Sequence, residues 1–174
     1  MKNRYVLSVL VTNESGVLTR LSGLFSRRGF NIDSLTVSET ADESLSRITI
    51  VLHGDDYILN QITMQLSKLH DVKKVVHLKN DYSIYRELML IKVKSVHETR
   101  SDIIEMVNVF RAKILDFASE ALTIEITGDT NKNNAFLDLL KPYGVLEIAR
   151  TGLTALERGN KNIYEYEKFM KESD

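Results

Sequence analysis

The sequence predicts an α+β protein built from two tandem ferredoxin-like (split βαβ, βαββαβ) domains with antiparallel sheets. Three observations predict it. Strand-like and helix-like runs alternate in the order β-α-β-β-α-β up to about residue 78. The same order recurs in the remainder. Each strand-like run is short and β-branched or apolar, whereas each helix-like run repeats its apolar residues every three or four positions.

The elements follow in order. RYVLSVLVT, residues 4–12, reads as a strand, and NESG turns the chain into a helix with Val17, Leu18, Leu21, Leu24 and Phe25 at helical spacing. Arg27 and Arg28 suit the negative end of that helix, Gly29 suits the left-handed position after it, and Phe30 supplies the hydrophobic contact back. NIDSLTVSET and LSRITIVLH are the next strands, joined by ADES. Asp55 or Asp56 can cap a second helix carrying Ile58, Leu59, Ile62, Leu66 and Leu69, and VKKVVHL closes the unit. In the second half RELMLIKVK is a strand. Thr99 and Asp102 have capping-box spacing for a helix bearing Ile103, Ile104, Val107 and Phe110. AKILDFAS and ALTIEITG form a strand pair, NNAFLDLLK a short helix ended by Pro142 and Gly144, and VLEIARTG the final strand. The expected organisation is a first domain over 1–79, a linker over 80–87, a second domain over 88–160, and a helical tail over 161–174 with Ile163, Tyr166, Phe169 and Met170 on one face.

Composition narrows the functional classes. Cysteine is absent, which excludes disulfides, thiolate metal sites and a cysteine nucleophile. The net charge of −1 comes from 23 basic and 24 acidic residues. Neither half holds the basic excess that phosphate-backbone binding calls for, so no nucleic-acid partner is expected. No apolar run is long enough to span a bilayer, and the start lacks a signal-peptide pattern, so the expectation is a cytoplasmic protein without membrane attachment. Phosphate-binding glycine motifs, a nucleophile elbow and a zinc-protease motif are all missing. His53, His70, His77 and His97 show no metal-ligand spacing, and solvated or partly packed rings are the simpler reading. No catalytic residues and no metal ligands are expected.

One stretch stands apart. In LVTNESGVL, residues 10–18, a helix starts directly after a strand, exposing unpaired N–H groups and the positive end of the helix dipole. Gly16 leaves that backbone open to close approach. Such a place suits a carboxylate. In RRGFNID, residues 27–33, Asn31 can accept from an ammonium. Together these would describe a site for a free α-amino acid. Spacing alone favours the simpler reading, with Asn13 and Ser15 as helix caps and Asn31 as a turn residue.

The order NESGVL, GLFSRRGFNIDSLTV, LSRITIV, the stretch from Leu66 to Val75, RELMLIKV, FRAKILDFA, ALTIEITG and EIARTGLTALERG resembles the acetolactate synthase (acetohydroxyacid synthase) small regulatory subunit family, whose N-terminal part is an ACT domain. The resemblance runs from about residue 3 to 160. It implies a non-catalytic subunit that binds a branched-chain amino acid, valine foremost, activates a separate catalytic subunit and confers feedback inhibition in valine, leucine and isoleucine biosynthesis. It implies no cofactor in this chain, with thiamine diphosphate, Mg and FAD in the catalytic partner. Carried over, Asn13, Glu14, Ser15, Gly16, Val17 and Leu18 would meet the ligand's carboxylate. Asn31 and Ile32 from the facing ACT domain of a homodimer would meet its ammonium and apolar parts. SVHETRSD, at the start of the second domain's first helix, has no glycine, so no equivalent site is expected there. The rival readings are an ACT-type sensor for another biosynthetic enzyme and a ferredoxin-like phosphatase. The phosphatase would need a basic residue in the loop after its first strand, where this chain has Glu14. An RNA-binding sheet would need paired aromatics on its central strands, which offer only Tyr5.

Overall fold

The computed structural model describes residues 3–164, and these fall into two compact units: residues up to 84 together with the segment from 153 onward, and residues 85–152. In the first unit, β1 (Asn3–Thr12), α1 (Val17–Arg27), β2 (Ser34–Glu39), β3 (Leu45–Gly54), α2 (Asp56–Leu66) and β4 (Val72–His77) form an antiparallel sheet in the order β2-β3-β1-β4. This is the split-βαβ arrangement that the pattern of runs predicts. One face of the sheet carries Tyr5, Leu7, Val9 and Val11 from β1 and Ile48, Ile50 and Leu52 from β3. They pack on Val17, Leu21, Leu24 and Phe25 of α1 and Leu59, Ile62 and Leu66 of α2. Each fully buried aliphatic side chain of this set contributes about 2 kcal/mol of transfer free energy.

Helix α1 ends as its sequence dictates. Gly29 adopts φ 66°, its N–H donates to Ser26 O at 3.1 Å, and the Phe30 N–H reaches Phe25 O at 3.0 Å. That is the Schellman pattern, and Phe30 packs back on the core. At α2, Asp55 is the cap, accepting from the Ile58 N–H at 2.8 Å. Asp56 instead accepts from the Tyr5 hydroxyl at 2.7 Å.

The second unit repeats the plan with β5 (Ser83–Lys94), α3 (Arg100–Val109), β6 (Lys113–Phe117), β7 (Ala121–Gly128), α4 (Thr130–Leu140) and β8 (Val145–Arg150), in the order β6-β7-β5-β8. Its core joins Met89, Ile91 and Val93 to Leu122, Ile124 and Ile126 beneath Ile103, Val107, Phe136 and Leu140. Residues 80–82 make one 3-10 turn, and β5 starts at Ser83.

Four local expectations need correction. Thr99 precedes α3 but makes no capping bond; its hydroxyl donates backward to Val96 O at 3.4 Å, so the capping box does not form. Helix α4 starts at Thr130, earlier than the apolar spacing indicates, because Asp129 accepts from the Lys132 N–H at 2.8 Å. VLEIARTG is not the final strand: β9 (Thr154–Glu157) follows and pairs with β5. Finally, the second unit ends at Gly152, and the segment from Leu153 returns to the first unit, burying Leu153, Ala155 and Ile163. The expected tail helix lies outside the described residues from 165 onward. No described helix is long and apolar enough to cross a membrane.

Candidate amino-acid site at the start of the first helix

After β1 the chain turns through Glu14 and Ser15 into Gly16, which sits at φ 83° in the left-handed region as the residue preceding α1. An L side chain is strained there, and a Cβ would stand 2.9 Å from Nη1 of Arg20. No side chain caps α1. The Val17 N–H reaches Glu14 O only at 3.5 Å, and the first regular bond is Arg20 N–H to Gly16 O at 3.0 Å. Among the described residues the amides of Leu18 and Thr19 meet no acceptor, so the start of α1 is an uncompensated positive dipole end.

The alternative role of Asn13 as a helix cap does not hold. Its N–H donates to Ser44 O at 2.7 Å, and its side-chain amide donates to Glu43 O at 2.9 Å and Glu39 Oε1 at 3.2 Å. Its Oδ1 accepts from the Ser46 hydroxyl at 3.0 Å. Asn13 therefore ties the β2–β3 turn to the end of β1 and fixes the backbone leading into Gly16. Glu14, Ser15 and Gly16 are exposed, Val17 is in the core, and Leu18 is 44% exposed.

Arg20 is a member of this site that helical spacing alone had not singled out. Its Nε and Nη2 bind Asp71 at 2.6 and 3.0 Å, which leaves Nη1 beside Gly16. Asp71 is buried and its carboxyl is held below the usual carboxylate range, because the Arg20 hydrogen bonds outweigh the effect of burial. The signal for Arg20 was its position one turn beyond Gly16.

Asn31 and Ile32 lie at the other end of the sheet. Thr12 pairs with Leu45 and Glu39 with Ser46, whereas Ser34, at the start of β2, pairs with Val51. The two loops are separated by the length of α1, about 16 Å. Asn31 is exposed and donates weakly to Asp33 Oδ1 at 3.4 Å; Ile32 packs against the core. Asp33 also binds Nδ1 of His53 at 2.7 Å. One copy of this unit thus does not bring Asn31 to Gly16. The sheet offers a way to do so, since β2 is an edge strand and Val37 on it is 42% exposed.

Fold and helix start together define an ACT-type domain followed by a second ferredoxin-like unit. A family model described as an AHAS small subunit-like ACT domain matches residues 7–74, and one described as the small subunit of acetolactate synthase matches residues 86–159. The acetolactate synthase small subunit of Mycolicibacterium smegmatis is 52% identical, covering 91% of this chain and 94% of its own length. The probable acetolactate synthase small subunit of Archaeoglobus fulgidus is 49% identical over 91% of this chain and 99% of its own. The crystal structure of the Thermotoga maritima acetolactate synthase small subunit superposes with a TM-score of 0.84 at 42% identity, over 91% of this chain and 99% of that one. The chain belongs to the acetolactate synthase small subunit family.

Proposed function

We propose that this chain is a non-catalytic regulatory subunit that binds valine at a seam between two copies of its first unit and passes that binding on to an acetolactate synthase catalytic subunit. The carrying observation is the open helix start, where a left-handed glycine, uncapped amides and the Nη1 of Arg20 converge on a place suited to a carboxylate. Antiparallel pairing of β2 with β2 of a second copy makes an isologous dimer. It sets the partner's Ser34 end beside this chain's Glu39 end, and hence the partner's Asn31 and Ile32 toward Gly16. Leu18, Val37 and Ile32 then offer an apolar lining for a branched side chain.

Because both chains would contact each ligand, valine biases how the copies sit together. Such couplings are typically about 1–3 kcal/mol, enough to change a partner's activity several-fold or more. The reading assigns amino-acid sensing to residues 1–79 and contact with the catalytic subunit or dimer to residues 88–160. It places thiamine diphosphate, Mg and FAD in the catalytic partner, places the assembly in the cytoplasm, and makes it a point of activation and feedback control for branched-chain amino-acid synthesis.

A complementation experiment tests the shared site. Gly16→Asp and Asn31→Ala each remove half of it, so each homodimer should lose valine binding by calorimetry. Mixed dimers of the two variants hold one site with Gly16 from one chain and Asn31 from the other. Valine binding should therefore reappear on mixing, at about half the wild-type stoichiometry in those dimers. Failure to recover any binding, with mixed dimers present, would rule out a site shared in this way.

A further inference from the structure

Two segments of the first unit have no part in the amino-acid site: LSRITI on β3 and LTALERG, with the residues after it. They meet on the sheet face opposite α1 and α2. There a cavity of about 210 Å³ opens between the sheet and the returning chain, roughly seven water volumes. The sheet contributes Ser8, Arg47 and Val76 to its lining and the end of β4 adds Leu78 just beyond it, and Leu156 and Ile163 supply apolar wall from the other side. Ser8 is 1% exposed and its hydroxyl has no hydrogen-bond partner among the described residues. A buried hydroxyl without a partner forfeits a hydrogen bond that a ligand could restore. Arg47 is half-buried, and its side chain forms no ion pair or hydrogen bond among the described residues. Lys161 adds a second cation and Glu157 the single anion, leaving the lining net positive.

We infer that this cavity is a second small-molecule site, for a short aliphatic carboxylate: the anion on Arg47 and the Ser8 hydroxyl, with Lys161 adding positive charge, and the aliphatic chain against Val76, Leu78, Leu156 and Ile163. Guanidinium and hydroxyl donors suit a carboxylate, and the charge-assisted bond to Arg47 is the strongest contact available. The returning chain forms one wall, so occupancy holds residues 156–163 against the sheet. The site is independent of Gly16 and Asn31, since none of its lining belongs to either loop.

The test is amide-resolved NMR of the full chain titrated with 4-methylpentanoate and, separately, with the neutral 4-methylpentanamide. Saturable shifts at millimolar carboxylate should map to Ser8, Arg47 and residues 156–163, and should persist in a Gly16→Asp background. The amide should give little. Arg47→Gln should weaken binding about tenfold or more, Arg47→Lys less, and Ser8→Ala several-fold, each with unchanged valine affinity. Lys161→Gln, in an exposed loop, gives a second variant that leaves the core untouched and should also weaken binding. Three results overturn the assignment: no saturable shifts at these residues, equal binding of the amide, or shifts that vanish with Gly16→Asp.

Discussion

In the first unit α1 begins behind a left-handed Gly16, with no side chain over its amides and an arginine nitrogen alongside. In the second unit α3 begins behind Thr99, also without a side-chain cap, and the Arg100 guanidinium folds over the turn before it. Val96 O accepts from the Thr99 and Arg100 N–H groups at 3.2 and 3.1 Å. The Arg100 guanidinium folds back to Ser95 Oγ and O at 3.3 and 3.2 Å and to Ser119 O, and lies 4.8 Å over the Phe117 ring. Elsewhere the halves agree: α2 and α4 each follow a Gly-Asp pair whose aspartate caps the helix through an identical bond. Where the two halves agree, the device serves folding. Where they differ, both helix starts leave two amides without an acceptor among the described residues, but only the first stands behind a left-handed glycine with no side chain folded over the preceding turn.

The largest expected effect comes from closing the open helix start. Gly16→Asp sets a carboxylate where the ligand's would lie, and like charges in contact cost about 3 kcal/mol, roughly a hundredfold or more in valine affinity. Folding should survive, because aspartate tolerates the left-handed region at about 1 kcal/mol and its Cβ meets only the movable end of Arg20. The converse change, Thr99→Gly, should not open a second site in the other unit, since the Arg100 guanidinium still packs over the turn before α3. Calorimetry should show valine binding lost in the first variant and unchanged stoichiometry in the second. A gain of sites in the second would mean that glycine alone, and not the covering arginine, separates the halves.

The Arg20–Asp71 pair sharpens the contrast in a different way. Arg100 is held by carbonyl oxygens and a hydroxyl, which do not titrate near neutral pH, whereas Arg20 is held by a carboxylate. The folded Asp71 carboxyl lies below its ordinary value, so as pH falls the unfolded chain takes up the proton first. The pair's stabilisation is whole above the unfolded-state value of about 3.9, and is lost as pH drops through the folded value. Wild type should therefore exceed Asp71→Asn in urea-unfolding midpoint at neutral pH, with the gap narrowing only below about pH 4. A gap that stays constant into acid would assign the difference to packing.

Much of this fold is legible in the sequence because its elements carry strong periodicity. The alternating runs of β1, β3, β5 and β7 and the apolar spacing of α1 and α2 each have one reading, and Gly29 with Phe30 marks where α1 ends. What escaped depended on hydrogen bonds and pairings that apolar spacing does not register. Asn13 is a typical cap residue, yet its amide is taken by Glu39, Glu43 and Ser46, some thirty residues on. Helix α4 starts with Thr130, Asn131 and Lys132, residues with no apolar period, so its beginning is set by Asp129 alone. β9 is short and follows a glycine at Gly152, and its place depends on a non-local pairing. For the amino-acid site, the glycine and its helix start were visible. Arg20 was not, because an arginine on an exposed helix face is ordinary until Asp71 is seen to fix it.

The smallest effect tests the part of the comparison where the halves agree. Asp55 and Asp129 accept from Ile58 and Lys132, each at 2.8 Å and each from an extended backbone conformation. If both are folding devices, Asp55→Ala and Asp129→Ala should each destabilise by about 1 kcal/mol, with matching falls in the urea midpoint. Neither should alter valine affinity, since neither residue lies near Gly16 in the sheet register. At the first cap the Tyr5 hydroxyl binds Asp56 directly after Asp55. That bond can hold the start of α2 after its cap is removed, so Asp55→Ala should cost more in a Tyr5→Phe background than in the wild type. If Asp55→Ala weakened valine binding instead, the second helix start would belong to function as well, and the division between shared folding devices and the unshared ligand site would fail.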